Sequence, residues 1–351
     1  MKNTLTLLPE WAEQEAVVLA WPYLESDWLP WIDEVRASYI SLINGLHHAK
    51  VTVILLCPER EIGIVKSMVD MHARVLIIPM EYNDTWTRDY VFLTCESAHG
   101  NQGLDFVFNA WGNKFDATLD NQVNSKLSAL CKLPLIAAER VLEGGAVDID
   151  QNQILLSTKA CLLNPKRNQN MSLSEYEHLF AEYFGASKSV ILQNGYLVGD
   201  DTDGHIDTLV RFTPLRGLVM QSAFNRPEDS HFDTLHALKK ELMEHFDTYS
   251  IYELPLPKVS NENGQRLPAS YANFLICNKH VLAPVYQQPE DKLALETLQK
   301  AYPNYKIVPI NCLPIVQQNG SLHCITMQIP ENTLKSDVLA LAKDGLRVYE
   351  S

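Results

Sequence analysis

Apolar positions along this chain alternate between two periods. Stretches at Ile32–His47, Asn121–Ala129, Leu173–Phe184, Ser230–Phe246 and Lys292–Tyr302 repeat apolar residues at three- and four-residue spacing. That spacing predicts helices with one buried face, and several of them open on Asp, Ser or Pro-Glu-Asp. Each is followed by a short apolar run that reads as a strand: Val51–Leu56, Leu133–Ala137, Ser189–Leu192, Ser250–Leu254 and Lys306–Ile310. The helix-then-strand pair recurs at intervals of roughly 55 to 60 residues. A longer first interval holds an extra helix near Glu61–Met71 and a strand at Val75–Ile78. Further β-rich runs flank the pairs at Glu15–Trp21, Phe106–Phe108, Ile154–Ser157, Thr208–Phe212, Gly217–Gln221, Tyr271–Cys277 and His323–Gln328. The unit is strand, strand, helix, strand, and it occurs five times.

Regular α/β units can stack as an open doubly wound sheet, but no G-x-G-x-x-G or G-x-x-x-x-G-K-[ST] marks a nucleotide-binding turn. Five similar units instead predict a closed ring. No low-complexity tract or Gly/Ser linker separates them, so residues 1–351 are expected to form a single domain. In such a ring the segments following equivalent strands emerge at one end and meet near the axis. The unusual polar residues lie in these segments: NDTWTRD at Asn83–Asp89, EGG at Glu143–Gly145, GDDTDGHID at Gly199–Asp207 and NGSLHC at Asn319–Cys324.

Apolar residues make up 46% of the chain and charged residues 21%, enough for a large core. The net charge of −14 argues against a nucleic-acid partner, which would call for clustered Lys and Arg, and it favours cationic ligands. Seven cysteines, an odd number without any C-x-x-C pair, predict reduced thiols. Pro9 and the acids Glu10, Glu13 and Glu15 interrupt what a secretory leader would need, and no apolar run approaches the ~18 residues of a membrane span. A cytoplasmic protein without membrane association is expected.

Cys324 follows His323 in a β-like run, LHCITMQIP, after a polar turn containing Gly320. A lone cysteine is ordinarily a small buried apolar residue, so its company decides the reading. His205 and Asp207 stand two apart, which in an extended segment projects a base and a carboxylate from one face; alone, the pair is an ordinary polar loop. Asp200, Asp201, Asp203 and Gly204 have part of a calcium loop's composition, but its register puts Gly199 and Val210 at the end positions, which rejects calcium. A zinc-dependent C–N hydrolase built from Glu143, His205, Asp207 and Cys324 has suitable atoms without compact ligand spacing, and stays a minor alternative. Glu143 precedes two glycines, which permit close backbone approach or positive φ, with a plain tight turn as the alternative. Asp89 closes W-T-R-D, where a purely structural reading pairs it with Arg88. The functional reading has Asp89 and Asp207 receive the planar fork of a guanidinium, with Trp86 offering an aromatic face.

The ordered set W-x-R-D, E-G-G, D-G-H-x-D and H-C-I-T, from Trp86 to Thr326, resembles the agmatine deiminase family of the guanidino-group-modifying superfamily. WPYLESDW near the start, FNAWG at Phe108–Gly112 and DNQV at Asp120–Val123 extend the likeness over nearly the whole chain. The resemblance implies the pentein fold, a five-bladed α/β propeller, in agreement with the repeat count. It implies hydrolysis of agmatine to N-carbamoylputrescine and ammonia, a step that feeds polyamine synthesis, with no metal or organic cofactor. Cys324 is then the nucleophile, forming a covalent amidino-cysteine intermediate, and His205 the general acid and base. Asp89 and Asp207 hold the guanidinium, and Glu143 orients His205 or the substrate. Two departures bear on the pocket's shape: Tyr90-Val91-Phe92 replaces the family's usual Gly-Pro, and Gln318-Asn319-Gly320 replaces its glycine run. The catalytic set does not separate agmatine from arginine. Agmatine's second positive charge suits the acids Asp200, Asp201 and Asp203, of which Asp203 is the expected substrate contact, whereas arginine calls for a cationic partner for its carboxylate. An arginine or peptidyl-arginine deiminase of the same fold and a catalytically silent binding propeller are the alternatives, and a homo-oligomer is compatible with either.

Overall fold

The helix at Leu173–Phe184 has the bounds expected from its pattern because its ends are encoded locally. Ser172 and Glu175 form a reciprocal capping box, and Gly185 ends the helix in a left-handed conformation. Tyr176, Leu179, Phe180 and Phe184 form its buried face, and Phe184 packs on Phe106 with ring centroids 5.6 Å apart. In the computed structural model, which describes residues 5–350, the other four expected helices fall at Ile32–His48, Asp120–Leu127, Phe232–His245 and Asp291–Ala301.

The fold is mixed α/β, with its strands in five separate sheets. In each sheet the strand before a helix pairs in parallel with the strand after it. These pairs are Gln14–Ala20 with Thr52–Cys57, Gly100–Val107 with Ile136–Val141, Ile154–Thr158 with Lys188–Leu192, Gly217–Gln221 with Ser250–Leu254, and His280–Val285 with Lys306–Asn311. An antiparallel strand flanks each pair: Met327–Pro330, Leu93–Ser97, Asp148–Ile149, Val210–Thr213 and Leu275–Cys277, respectively. The strand, strand, helix, strand unit is therefore present in all five sheets. One sheet is composite, because Met327–Pro330 returns from the far end of the chain to pair with Gln14–Ala20.

Several expected elements shift. The strand expected at Leu133–Ala137 begins at Ile136, past Pro134, which has no N–H to give a ladder. Phe106–Phe108 is the end of the longer strand Gly100–Val107, whose Gly100-Asn101-Gln102-Gly103 start carries little strand propensity and is held by pairing to Leu93–Ser97. The strands Leu93–Ser97 and His280–Val285 were not legible, and the helix near Glu61–Met71 is confined to Ile62–Met68. Only Leu275–Cys277 of the run from Tyr271 is strand. The run from His323 becomes strand only at Met327, leaving His323 and Cys324 in a turn. Among the described residues no helix is long and apolar enough to cross a membrane.

Candidate active site

The site gathers at equivalent positions of the five units. Just before the flanking antiparallel strand of each unit lie Asp89, Glu143 with Gly145, His205 with Asp207, Asn273, and Cys324. The sequence had offered a polar segment for four of these places; Asn273 occupies the fifth, inside an apolar run, and only its equivalence to the others marks it.

Cys324 is buried, and its thiol donates to Asn273 Oδ1 at 3.4 Å and lies 3.8 Å from Asp207 Oδ2. Asn273 Oδ1 also accepts from the backbone N–H of His323, at 2.9 Å, and of Cys324, at 3.4 Å, which fixes the turn carrying the sulfur. His323 makes two 2.7 Å contacts, from Nδ1 to Asp207 Oδ2 and from Nε2 to Glu10 Oε1. Glu10 in turn pairs with Arg88 at 3.4 Å and with Arg211. Arg88 is thus occupied by Glu10, Gln328 and the His323 carbonyl rather than by Asp89, which removes the purely structural reading of W-T-R-D.

His205 and Asp207 are not in an extended segment: Ile206–Thr208 is a 3₁₀ turn, so the two side chains reach different partners. Asp207 faces His323 and Cys324, while His205 places Nδ1 3.6 Å from Asp89 Oδ1 and Nε2 3.8 Å from Glu143 Oε2. They still converge around Gly145. A Cβ there would stand 2.5 Å from His205 Nδ1, 2.9 Å from Asp89 Oδ1 and 3.1 Å from Asp207 Oδ2, so the second glycine of E-G-G serves close approach. Gly320 is required similarly, since a Cβ would meet the Trp86 ring at 2.3 Å.

Among the described residues nine buried side-chain polar atoms have no partner, and three of them are here: both ring nitrogens of His205 and Asp207 Oδ1. Unpartnered buried polar atoms are rare because each forfeits hydration, so a cluster of them marks a place where a ligand completes the bonding. Burial, with Asp207 and Asp89 beside it, pushes the Cys324 thiol well up. Burial alone would lower His205, but Asp89, Cys161 and Glu143 outweigh it and hold the imidazole well above its ordinary value. Burial and the neighbouring carboxylates Asp207 and Glu143 raise Asp89, despite His205. For Asp207 and Glu143 burial is outweighed, by His323 and by His205 with Arg167 respectively, and both are lowered.

Residues without a sequence signal support this arrangement. Arg167 Nε bonds both oxygens of Glu143, at 2.8 and 2.9 Å, while its other nitrogens reach Asp203 Oδ2 and the Thr202 carbonyl, both at 2.8 Å. Asp203, the expected substrate contact, is engaged by protein donors in this structure. Its carboxylate is taken by Arg167, by Lys114 at 2.9 Å and by Asn164 at 2.8 Å, and it is absent from the pocket lining. The zinc set also fails to assemble: the one cluster of ligand-type side chains among the described residues is Glu143, Cys161 and His205, without Asp207 or Cys324, and Arg167 already neutralises Glu143.

Above the sulfur lies a pocket of about 490 Å³ of empty volume, its open mouth included. Trp86, Asp89, Trp111, Gly320 and Cys324 line its inner part, with Asp27, Asp84, Asp201 and Phe115 also on its walls and no Lys or Arg among the lining residues. Burial, with Asp27 and Asp201 nearby, pushes Asp84 up to about 7, and burial with Asp200 pushes Asp201 up to about 6.

Residues 6–330 match the Porphyromonas-type peptidyl-arginine deiminase family. A provisionally named agmatine deiminase of Legionella pneumophila (strain Paris) is 30% identical over 332 residues, covering 92% of this chain and 94% of that protein. Among solved structures, a cysteine-to-serine variant of C. jejuni agmatine deiminase with substrate bound superposes with a TM-score of 0.88 at 34% identity, over 95% of this chain and 98% of that one. A provisionally named arginine deiminase from Porphyromonas gingivalis gives 0.86 at 37% identity, over 94% and 100%. With both the sequence match and the fold extending over more than nine-tenths of its length, this chain belongs to the Porphyromonas-type peptidyl-arginine deiminase family.

Proposed function

We propose that this protein is an agmatine deiminase that hydrolyses agmatine to N-carbamoylputrescine and ammonia through an amidino-cysteine at Cys324. The observation that carries the reading is the gathering of His205, Asp89 and Asp207 around Gly145, with Glu143 beside His205 and Cys324 beside Asp207, next to a pocket that Cys324 and Asp89 line, and with the His205 ring nitrogens and Asp207 Oδ1 left unbonded.

The chemistry follows from the charges. In the resting site the carboxylates of Asp207 and Asp89 oppose ionisation of Cys324. A guanidinium held between them neutralises that field, so the thiolate forms as substrate binds and the thiol proton leaves to solvent. The sulfur adds to the central carbon, which the two carboxylates keep planar and within reach. Protonated His205 gives its proton to one nitrogen, which departs as ammonia and leaves a cationic amidino-cysteine. Neutral His205 then takes a proton from water as its oxygen attacks that carbon. Collapse expels the Cys324 thiolate, the hydroxyl proton is lost, and the ureido product leaves with His205 again protonated. Glu143, anchored by Arg167, lies 3.8 Å from the imidazole and favours its cation.

Two features favour agmatine over arginine. The pocket mouth carries Asp27, Asp84 and Asp201, which suit a terminal ammonium, and no lining Lys or Arg meets an α-carboxylate. The provisional naming of the P. gingivalis relative keeps arginine as the competing substrate. We read the five sheets as blades of one closed pentein ring and residues 1–351 as a single domain; the pairing of Met327–Pro330 with Gln14–Ala20, which joins the two ends of the chain, supports both. The test is direct: assay ammonia and ureido product from agmatine and from arginine, and look by mass spectrometry for an amidino mass on the Cys324 peptide of enzyme quenched with substrate. Turnover without any adduct on that peptide removes the covalent route, and preference for arginine removes the substrate choice.

A further inference from the structure

The FNAWG motif has no place in the chemistry above, yet it contains the most unusual backbone near the site. Ala110, Trp111, Gly112 and Asn113 have φ of +48°, +55°, +87° and +61°, four consecutive residues in the region that L-residues avoid, and only one of them is glycine. A strained run of this kind persists only where its surroundings over-determine it. Here they do. Asn109 Oδ1 accepts from Gly112 N at 2.9 Å and Asn109 Nδ2 donates to the Lys166 carbonyl at 2.8 Å. Phe108 and Phe115 meet the Trp111 ring edge-on, at centroid distances of 5.2 and 5.8 Å, and Lys114 ties the end of the turn to Asp203.

The outcome of the turn is the position of one side chain. Trp111 is buried, it lines the pocket together with Trp86, and its Nε1–H donates to Asp89 Oδ2 at 2.9 Å. Asp89 Oδ1 accepts from Gly145 N at the same distance. Both oxygens are thereby fixed by rigid donors, while each keeps a further lone pair for a ligand. A carboxylate buried without such donors would be free to rotate or to take up a proton.

We propose that Trp111 is a positioning residue for Asp89 and the second aromatic wall of the guanidinium slot, and that the left-handed turn at residues 110–113 exists to deliver its indole there. The inference rests on the reading of Asp89 as a guanidinium acceptor. It makes Trp111 a determinant of substrate affinity through Asp89, so the two residues act as one unit.

The experiment uses full-length Cys324→Ala protein, which holds substrate without turnover, and reads agmatine binding by calorimetry. Trp111→Phe, which keeps a ring and loses the N–H, is expected to weaken binding by roughly ten-fold, and Asp89→Asn by on the order of a hundred-fold. Adding Trp111→Phe to Asp89→Asn is expected to change affinity by less than about two-fold, because no guanidinium-binding carboxylate is left for Trp111 to position. Effects that multiply, or a Trp111→Phe protein that binds like its parent, overturn the proposal. A readout needing neither a Trp111 variant nor substrate is the Trp111 indole N–H resonance. It is expected to be protected from exchange with solvent and to move on Asp89→Asn; a freely exchanging resonance that ignores Asp89→Asn also overturns it. If agmatine fails to bind while the indole still responds to Asp89, the substrate reading fails and the positioning of Asp89 stands.

Discussion

Asp207 belongs to two buried ionic regions that differ in one respect. Behind it, Glu10, Arg88, Arg211, His323 and Gln328 form a network in which none of these side chains keeps a buried polar atom without a partner. In front, His205 has two unpartnered nitrogens, and Asp207 itself has Oδ2 bonded into the network and Oδ1 left open. Burial is comparable in the two regions, so burial does not separate them; completeness of bonding does. A complete ionic network holds a geometry, whereas an incomplete one stores capacity for a ligand at some expense in stability. Removing a member is accordingly expected to harm folding in the first region and chemistry in the second.

The largest effect is expected at the sulfur. Cys324→Ala abolishes ammonia release from agmatine, while thermal unfolding shows a folded protein, because the thiol makes only long contacts, to Asn273 at 3.4 Å and Asp207 at 3.8 Å. Detectable turnover in this variant breaks the assignment of nucleophile. His205→Gln lowers kcat by about 10²- to 10⁴-fold, the usual worth of a general acid–base, with a smaller fall in Tm than any member of the rear network gives. Glu10→Gln reverses the pattern: Arg88 loses its salt-bridge partner and Arg211 keeps only Asp148, so stability falls by about 3–5 kcal/mol, read as a lowered denaturation midpoint. If Glu10→Gln unfolds no more easily than His205→Gln, the contrast between the regions is wrong.

A smaller effect tests the pocket mouth. Asp84 and Asp201, raised to about 7 and about 6 by burial and neighbouring carboxylates, are neutral below those values and charged above them. The KM for agmatine is therefore expected to rise several-fold as pH falls from about 7.5 to 5.5, while that for an alkylguanidine without the terminal amine changes less. Equal pH dependence for both substrates removes the acidic mouth from substrate recognition. The smallest effect is at the strained turn, where Ala110→Gly relieves a positive φ that costs an alanine about 1 kcal/mol. A rise of roughly 2 °C in Tm is expected, with agmatine affinity unchanged. A lowered Tm would show that the turn stores no strain at Ala110.

The helical pattern was legible almost to the residue where caps and one apolar face lie close in sequence, as at Leu173–Phe184. It failed where strands depend on distant partners. Gly100–Val107 begins with residues that disfavour strands and exists because Leu93–Ser97 pairs with it, and Leu93–Ser97 went unread for the same reason. Within the site, Cys324, His205, Asp207, Glu143 and Asp89 were identifiable by residue type and order. Asn273, Arg167, Glu10 and Trp111 were not assigned roles, because their importance lies in what they touch.

What the sequence determined by itself is the repeat, the reactive residue types and their order, since both periodicity and chemistry are local properties of the chain. Tertiary structure alone decided which acids are engaged by protein cations and which face the pocket. Asp203, the expected substrate contact, is neutralised by Arg167 and Lys114, which stand 36 and 89 residues away in the chain, while Asp201 and the unforeseen Asp84 line the pocket. The physical reason is that a carboxylate's role is set by the charges and donors within a few ångströms of it, and folding brings those from anywhere along the chain.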